Sequence, residues 1–207
     1  MIYDAADKAI CAMNRQNLKD FGKLKLAKWD EINVIRTVGK TYDDSVRMAQ
    51  QRYYEIAFES FIVALPEARI PNVDATRMAE ETITADWILD MLEEVDPVTL
   101  YAFLPEAERK KQRLIEALAV AQNRNAEIDK ALRYWTQQVS QYADNSVFRA
   151  RLEAFRAAGV KKVMWVIQDD DRVCEECEAL NGQIFDIDNV PDPVHYGCRC
   201  YLFPIFD

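Results

Sequence analysis

The sequence predicts a mainly α-helical protein with an elongated helical N-terminal part and a small α+β module at its C-terminal end. Ala, Leu, Glu, Lys, Arg and Gln, which favour helix, are abundant, whereas only five glycines and seven prolines occur in 207 residues. Apolar residues recur at spacings of three and four over most of the first 160 residues. After residue 160 the pattern changes to short β-rich runs, and four of the five cysteines lie there.

The longest helical stretch runs from Leu26 to Leu65, where apolar residues step along one face. Gly39 either lies within one long helix or breaks the stretch into two. A helix of about 40 residues would be about 60 Å long, which suits an elongated subunit. We expect some of its apolar residues to need a partner surface, namely Trp29, Ile35, Tyr42 and Tyr53.

The other predicted elements follow from capping residues, prolines and β-rich runs. A first helix covers residues 3–21, ends at Gly22 and contains Cys11 as a small core residue. A later helix is predicted at residues 74–94, with Asp74 as its cap, and new helices are predicted to start at Pro97 and at Pro105. The last predicted helix begins at a cap formed by Asp144 or Asn145 and ends at Gly159. Strands are predicted at residues 162–168, 183–187 and 201–205, with a turn at Asn181-Gly182.

The C-terminal cysteines and the only histidine form two closely spaced pairs. Cys174 and Cys177 make a C-x-x-C pair, His195 and Cys198 make an H-x-x-C pair, and seventeen residues separate Cys177 from His195. This spacing is typical of small structural zinc sites, which need four nitrogen or sulfur ligands. Because there are five candidates, Cys200 is an alternate to Cys198. Three short strands bury little surface, so the binding of a metal would stabilise the folded module.

Other interpretations of these residues stay open. The four cysteines could form two disulfides, which would leave the histidine without a role, or they could be inert buried thiols. A cysteine–histidine nucleophile pair is a further alternative. Four protein ligands favour a closed, structural zinc site, because catalytic zinc keeps an open position for water.

The same stretch resembles the C-terminal module of the phage Mu F-like minor head proteins, which are also called head morphogenesis or minor capsid proteins of tailed phages. The resemblance is dense over about residues 165–204 and looser over 135–165. The residues that carry it are Asp170 or Asp171, Arg172, Cys174, Cys177, Leu180, Gly182, Phe185, Pro193, His195, Cys198, Arg199 and Cys200. The acidic run at 169–171 leaves open which aspartate fills the family position.

The resemblance implies a structural role in phage head morphogenesis. Such proteins are expected to associate with the portal and major capsid protein during prohead assembly, and some associate with double-stranded DNA. The expected location is the virion, near the portal vertex, with assembly in the host cytoplasm. The implied division is a helical region at 1–134 and a Mu F-like module at 135–207, whose zinc-binding core is 160–207. The alternative is a cellular zinc-stabilised protein-interaction module without enzymatic activity.

The net charge of −9 is unevenly distributed. Residues 161–207 carry −6, so the cysteine module is a poor candidate for binding nucleic acid. Residues 109–133 and 147–162 each carry +4. These basic sections are either solvated helix faces or a surface that contacts DNA or an acidic portal. The candidate contact residues are Arg109, Lys110, Lys111, Arg113, Arg149 and Arg156.

The sequence gives no positive signal for an enzyme, a secreted protein or a membrane protein. It contains no Walker loop, dinucleotide fingerprint, HExxH or nucleophile elbow, and its single histidine is already assigned. Acidic residues lie early in the N-terminus, no apolar signal region follows, and no apolar run is long enough to span a bilayer. We therefore expect a protein that is not an enzyme, has no small-molecule substrate, and lies in a reducing compartment, where metal binding is favoured over disulfides.

Overall fold

The computed structural model describes residues 2–27, 30–96, 98–168, 173–193 and 195–206. Within these residues the chain forms seven α-helices and one three-stranded sheet at the C-terminal end, which confirms the predicted fold class. The helices are α1 (Asp4–Leu24), α2 (Glu31–Ala64), α3 (Asn72–Thr82), α4 (Ala85–Glu93), α5 (Phe103–Val120), α6 (Arg124–Ala157) and α7 (Glu175–Leu180). The strands are β1 (Lys162–Val166), β2 (Ile184–Asp186) and β3 (Tyr201–Ile205).

Helix α2 is one unbroken helix of 34 residues, about 51 Å long at 1.5 Å per residue. It begins at the Asp30 cap, whose side chain accepts a hydrogen bond from the Asn33 backbone N–H at 2.9 Å. Gly39 lies inside the helix and does not break it. The first helix likewise runs past Gly22 to Leu24, so neither glycine ends a helix. A glycine lowers helix stability by only about 1 kcal/mol, which packing on both sides of these positions offsets.

The single helix expected at residues 74–94 is two helices, α3 and α4. The break lies at Thr84, whose hydroxyl caps α4 by accepting from the Trp87 backbone N–H at 3.1 Å. The backbone at Ile83 leaves the helical region, and the Ile83 side chain is fully buried. Helix α3 starts after Pro71, not at an Asp74 cap. The predicted restart at Pro97 lies outside the described residues, and Pro105 lies in the first turn of α5, which begins at Phe103.

Helix α6 corrects the prediction that a helix starts at Asp144 or Asn145. Both residues lie buried inside a helix of 34 residues that begins at the Asn123 cap. The Asn145 amide donates to the Asp96 carboxylate, so its side chain is used for a tertiary contact and not for capping. The helix closes as expected, because Gly159 follows it with a φ of +73°. The division at residue 134 stays a prediction, and α6 runs continuously across it.

The core lies between α2, α6, α1 and α5, and it covers residues that were expected to need a partner. Tyr42 and Tyr53 are buried within the chain, at 1% and 0% exposure. Tyr42 makes edge contacts with the rings of Phe21 and Trp135 at centroid distances of 5.4 and 5.2 Å. The Tyr53 hydroxyl donates to the Val139 carbonyl at 2.9 Å. The expectation was therefore wrong for both tyrosines, because α1, α5 and α6 cover that face of α2.

Some apolar residues near the start of α2 do remain in contact with solvent. Ile35 is 48% exposed, Ile32 is 70% exposed, and Leu26, just before the helix, is 87% exposed. Trp29, which was expected to join them, lies outside the described residues. Cys11 is exposed on α1 and is not the core residue that was expected. No helix in the described ranges is long and apolar enough to cross a membrane.

The sheet has the order β2-β1-β3, with both pairings antiparallel. In register, Val163 of β1 pairs with Phe185 of β2 and with Pro204 of β3. The three predicted strands are confirmed with small shifts at their ends, and β3 matches its predicted bounds. Trp165 of β1 is fully buried against Phe148 of α6, so one face of the sheet packs on that helix.

Candidate metal centre

Three segments of the C-terminal module bring the candidate ligands together. Cys174 is the N-terminal cap of α7, and Cys177 lies in the first turn of the same helix. His195 and Cys198 lie in a turn in which the Cys198 N–H donates to the His195 carbonyl at 3.2 Å. Cys200 lies immediately before β3. A helix end, a turn and a strand end therefore supply the five candidates.

The five side chains form two overlapping groups that share Cys177. The ligand atoms of Cys174, Cys177 and His195 lie within 4.8 Å of one another, and so do those of Cys177, Cys198 and Cys200. The Cys177 Sγ lies 3.1 Å from His195 Nε2 and 3.8 Å from Cys198 Sγ. Such a group of nitrogen and sulfur donors could hold a metal ion, with Cys177 as the ligand common to every arrangement.

The histidine presents a specific nitrogen to this group. The His195 Nδ1 lies 2.9 Å from the Tyr196 carbonyl oxygen, and a hydrogen bond there needs the proton on Nδ1. The lone pair of Nε2 then points toward Cys177 Sγ. Metal-binding histidines commonly donate their other ring N–H to a carbonyl in this way.

The thiols differ in how readily they become thiolates. Hydrogen bonding from Cys200, together with Cys177 and the His195 ring, lowers the pKa of Cys198 to about 6. Burial raises the pKa of Cys177 to about 12, and the hydrogen bond to Cys198 raises the pKa of Cys200 far above its usual value. Cys198 is therefore the thiol of this cluster that most readily becomes a thiolate. A cation would favour further deprotonation, because it compensates the buried negative charge.

The alternatives to a metal are less compatible with this geometry. All five cysteines are free thiols, so the structure contains no disulfide among them. Cys177 and His195 are close enough for a nucleophile–base pair, but Cys177 is fully buried and its raised pKa disfavours the thiolate. A reactive cysteine needs both access and thiolate character, and Cys177 has neither.

Residues from the helical part hold this cluster in place, and sequence reasoning did not find them. The Tyr3 hydroxyl donates to the Cys200 carbonyl at 2.8 Å, and the Arg199 guanidinium contacts the Asp7 carboxylate at 2.9 Å. The same guanidinium lies over the Tyr3 ring, 4.6 Å from its centroid. No local signal marks Tyr3 or Asp7, because they lie almost 200 residues away in the chain.

A second support comes from α6. The Gln141 side-chain oxygen accepts from the Gly197 backbone N–H at 2.6 Å, in the middle of the H-x-x-C turn. Gly197 has a φ of +69°, so this turn needs the conformational freedom of glycine. The Gln141 amide donates to Asn145 at 3.2 Å, and Asn145 donates to Asp96. A buried polar chain thus joins the turn to the loop before α5.

Most of the predicted contact residues pair with carboxylates of the same chain. Arg109 and Lys110 both pair with Glu106, and Lys111 pairs with Glu108 and Asp43. Arg149 pairs with Glu94, whereas Arg156 lies near Glu153 and Asp188 at 3.6 and 3.9 Å. Arg113 is exposed and has no ion pair within the described ranges. The Asp170, Asp171 and Arg172 positions of the motif lie outside those ranges.

Comparison with known proteins confirms the resemblance for the C-terminal part of the chain. Residues 113–203 match the family of phage Mu protein F like proteins. This segment is 91 of the 207 residues, and it contains all five candidate ligands, α6 and the last turns of α5. The match supports a role in phage head morphogenesis and a location in the virion or capsid. No curated protein and no solved structure was found to match the chain.

Proposed function

We propose that this protein is a structural minor capsid protein that associates with the portal and the major capsid protein during prohead assembly. The family match over residues 113–203 is the observation that carries the proposal, because it includes α6, β1, β2 and all five candidate ligands. The protein has no catalytic turnover in this proposal. Its location is the portal vertex of the virion, after assembly in the host cytoplasm.

Exposed apolar residues near the start of α2 offer a surface for one of these contacts. Leu26, Ile32 and Ile35 remain in solvent, whereas Val38, Tyr42 and Tyr53 further along the helix are buried. Exposed apolar residues grouped in one region favour contact with another protein. The docking segment is therefore residues 26–36 and not the whole of 26–65.

Co-expression with the portal protein of the same genome tests the proposal. We expect the two proteins to co-purify, and residues 26–36 to gain protection from hydrogen exchange in the complex. The stretch 42–61 carries the core residues Tyr42, Tyr53 and Phe61 and should be equally protected with and without the portal. The proposal fails if the protein neither co-purifies with the portal nor sediments with proheads.

Zinc is the metal that this proposal assigns to the cluster, held by Cys174, Cys177, His195 and Cys198, with Cys200 as the alternate to Cys198. Two sulfurs that each lie about 2.3 Å from a tetrahedral zinc are about 3.8 Å apart. The observed separation of the Cys177 and Cys198 sulfurs is 3.8 Å. When bound, zinc would supply a closed structural centre, and its binding free energy would stabilise the module.

Elemental analysis of protein purified under reducing conditions tests the zinc assignment. We expect about one zinc per chain, because the two donor groups share Cys177 and one tetrahedral ion takes four ligands. The Cys11→Ser variant is the matched control, because Cys11 is exposed on α1 and belongs to neither donor group. Protein that contains no metal, or loses none in Cys177→Ser, would contradict the assignment.

Contact with DNA is the weaker part of the proposal. The predicted cations are mostly paired with carboxylates of the same chain, which leaves less positive charge available for phosphates. We therefore place any DNA contact in the section 109–133 and not in the cysteine module, whose charge is −6. Duplex binding by a variant with Arg109, Lys110 and Lys111 reversed should show a shallower salt dependence than binding by the natural chain.

A further inference from the structure

A groove between α5 and α6 brings together cations that are distant in the sequence. We call it the α5–α6 groove. Its volume is about 500 Å³. Its lining residues include four cations, three tyrosines and one carboxylate: Arg109, Lys110, Arg113, Lys130, Tyr101, Tyr134, Tyr196 and Glu106. The lining therefore carries +3 within a chain of net charge −9.

A second cavity of about 230 Å³ continues the groove along the two helices. It shares Lys110, Arg113, Lys130 and Tyr134 with the first cavity and adds Glu127. The combined lining still has four cations against two carboxylates. Two adjoining cavities with this charge favour an extended ligand with several negative groups.

The cations in the groove differ in whether they are already neutralised. Arg109 and Lys110 share Glu106 on α5. Arg113 and Lys130 are exposed and have no ion pair within the part of the chain that the structure describes. Burial lowers the pKa of Lys110, although the Glu106 carboxylate opposes this. An additional carboxylate beside Lys110 would favour its charged form.

Three half-exposed tyrosines border these cations, at 48%, 52% and 45% exposure for Tyr101, Tyr134 and Tyr196. The Arg109 guanidinium lies over the Tyr101 ring at 4.3 Å, and the Lys110 ammonium lies over the Tyr134 ring at 5.5 Å. These contacts hold the cations at the groove and cover one face of each ring. Tyrosine and arginine are the residues most enriched at the energetic centres of protein interfaces.

We propose that the α5–α6 groove binds an acidic polypeptide segment of another protein. Carboxylates of the segment would pair with Arg113 and Lys130, and its apolar atoms would contact the exposed edges of the tyrosines. The groove of about 500 Å³ matches a single extended chain, so a DNA duplex that contacts residues 109–133 would lie across its opening and not inside it. A single nucleic-acid strand is less well matched, because cations already cover ring faces on which bases would stack.

This binding site does not depend on the role in head assembly. Its test uses the purified chain alone, so its failure would leave the proposed association with the portal untouched. The probe is a fluorescein-labelled peptide of alternating glutamate and serine, and fluorescence anisotropy measures its binding. An oligothymidylate of equal charge is the competitor.

The test compares two double variants that change the net charge equally. Arg113→Glu with Lys130→Glu reverses the two exposed cations of the groove, and we expect the peptide Kd to rise at least about tenfold. Arg15→Glu with Lys19→Glu reverses two exposed cations of α1 that do not line the groove, and we expect less than about a twofold change. The neutral pair Arg113→Gln with Lys130→Gln should give an intermediate loss and serves if the reversal affects folding.

Three results would overturn the proposal. In the first result, the natural chain does not bind the peptide at low salt. In the second result, both double variants lose binding equally, which would indicate only an effect of net charge. In the third result, the oligothymidylate displaces the peptide at a lower concentration than unlabelled peptide does, which would indicate a nucleic-acid site.

Discussion

Arg151 provides a direct test of how the helical part and the C-terminal sheet are joined. Its side chain is 1% exposed and lies on α6. The guanidinium contacts the Glu67 carboxylate at 2.6 Å and donates to the Leu202 carbonyl of β3 at 2.9 Å. It also lies near the rings of Phe155 and Tyr201, at 5.5 and 5.6 Å. One buried cation thus connects the end of α2 with α6 and the sheet.

Replacing Arg151 by Met should destabilise the protein by about 3 kcal/mol. A hydrogen bond from a charged donor to a buried carbonyl contributes about 1.5–3 kcal/mol. Breaking a buried ion pair costs about 3–5 kcal/mol, but Glu67 is 26% exposed and recovers part of its hydration. Both losses share one side chain, so they are not additive. For a chain of this size we expect the Tm to fall by about 6–12 °C.

The control is Arg149→Met, the same substitution on the same helix. Arg149 pairs with Glu94, whose side chain is 60% exposed, so its loss should cost no more than about 1 kcal/mol. Thermal and urea unfolding, followed by circular dichroism, measure both variants. The reasoning is refuted if the two variants unfold alike, or if Arg151→Met stays within about 0.5 kcal/mol of the natural chain.

Three further predictions concern the metal cluster, its support and a buried carboxylate. Cys177→Ser should lose bound zinc completely, because Cys177 belongs to both donor groups, whereas Cys11→Ser should retain it by elemental analysis. Tyr3→Phe should lower the free energy of unfolding by about 1–2 kcal/mol through the lost hydrogen bond to Cys200, whereas Tyr134→Phe, at a half-exposed ring, should change it little. Burial raises the pKa of Glu106, but hydrogen bonds and charges from Arg109 and Lys110 outweigh it and hold the pKa below its usual value of 4.5. The folded-state pKa is lowered, so this contribution to stability is present above about pH 4.5 and is lost as the pH falls through the folded-state value. Glu106→Gln should therefore reduce the acid-dependent loss of stability in unfolding measured between pH 5 and pH 3, and an unchanged pH dependence would contradict this prediction.

Local sequence signals were sufficient for the fold class, and they also indicated the candidate metal ligands, whose role stays a prediction. Helix propensity and apolar periodicity act within a few turns, so they indicated that residues 26–65 and the segment before Gly159 are helical. The spacing of Cys174, Cys177, His195 and Cys198 is likewise a local property. In the structure, these four side chains and Cys200 form the two donor groups that share Cys177.

The tertiary structure decided where helices continue and which side chains are free. Asn145 is a good capping residue by propensity, yet it lies inside α6 because its amide pairs with Asp96, 49 residues earlier. The sequence pattern predicted that Tyr42 and Tyr53 need a partner surface, but α1, α5 and α6 cover both side chains within the chain. Pairings between distant residues leave no local trace, because hydrogen bonds and burial depend on positions in space. The sequence by itself therefore determined most of the secondary structure and the candidate ligands of the metal centre. Only the packing of distant segments determined that Tyr3 and Gln141 support these ligands, and that Arg113 and Lys130 face solvent.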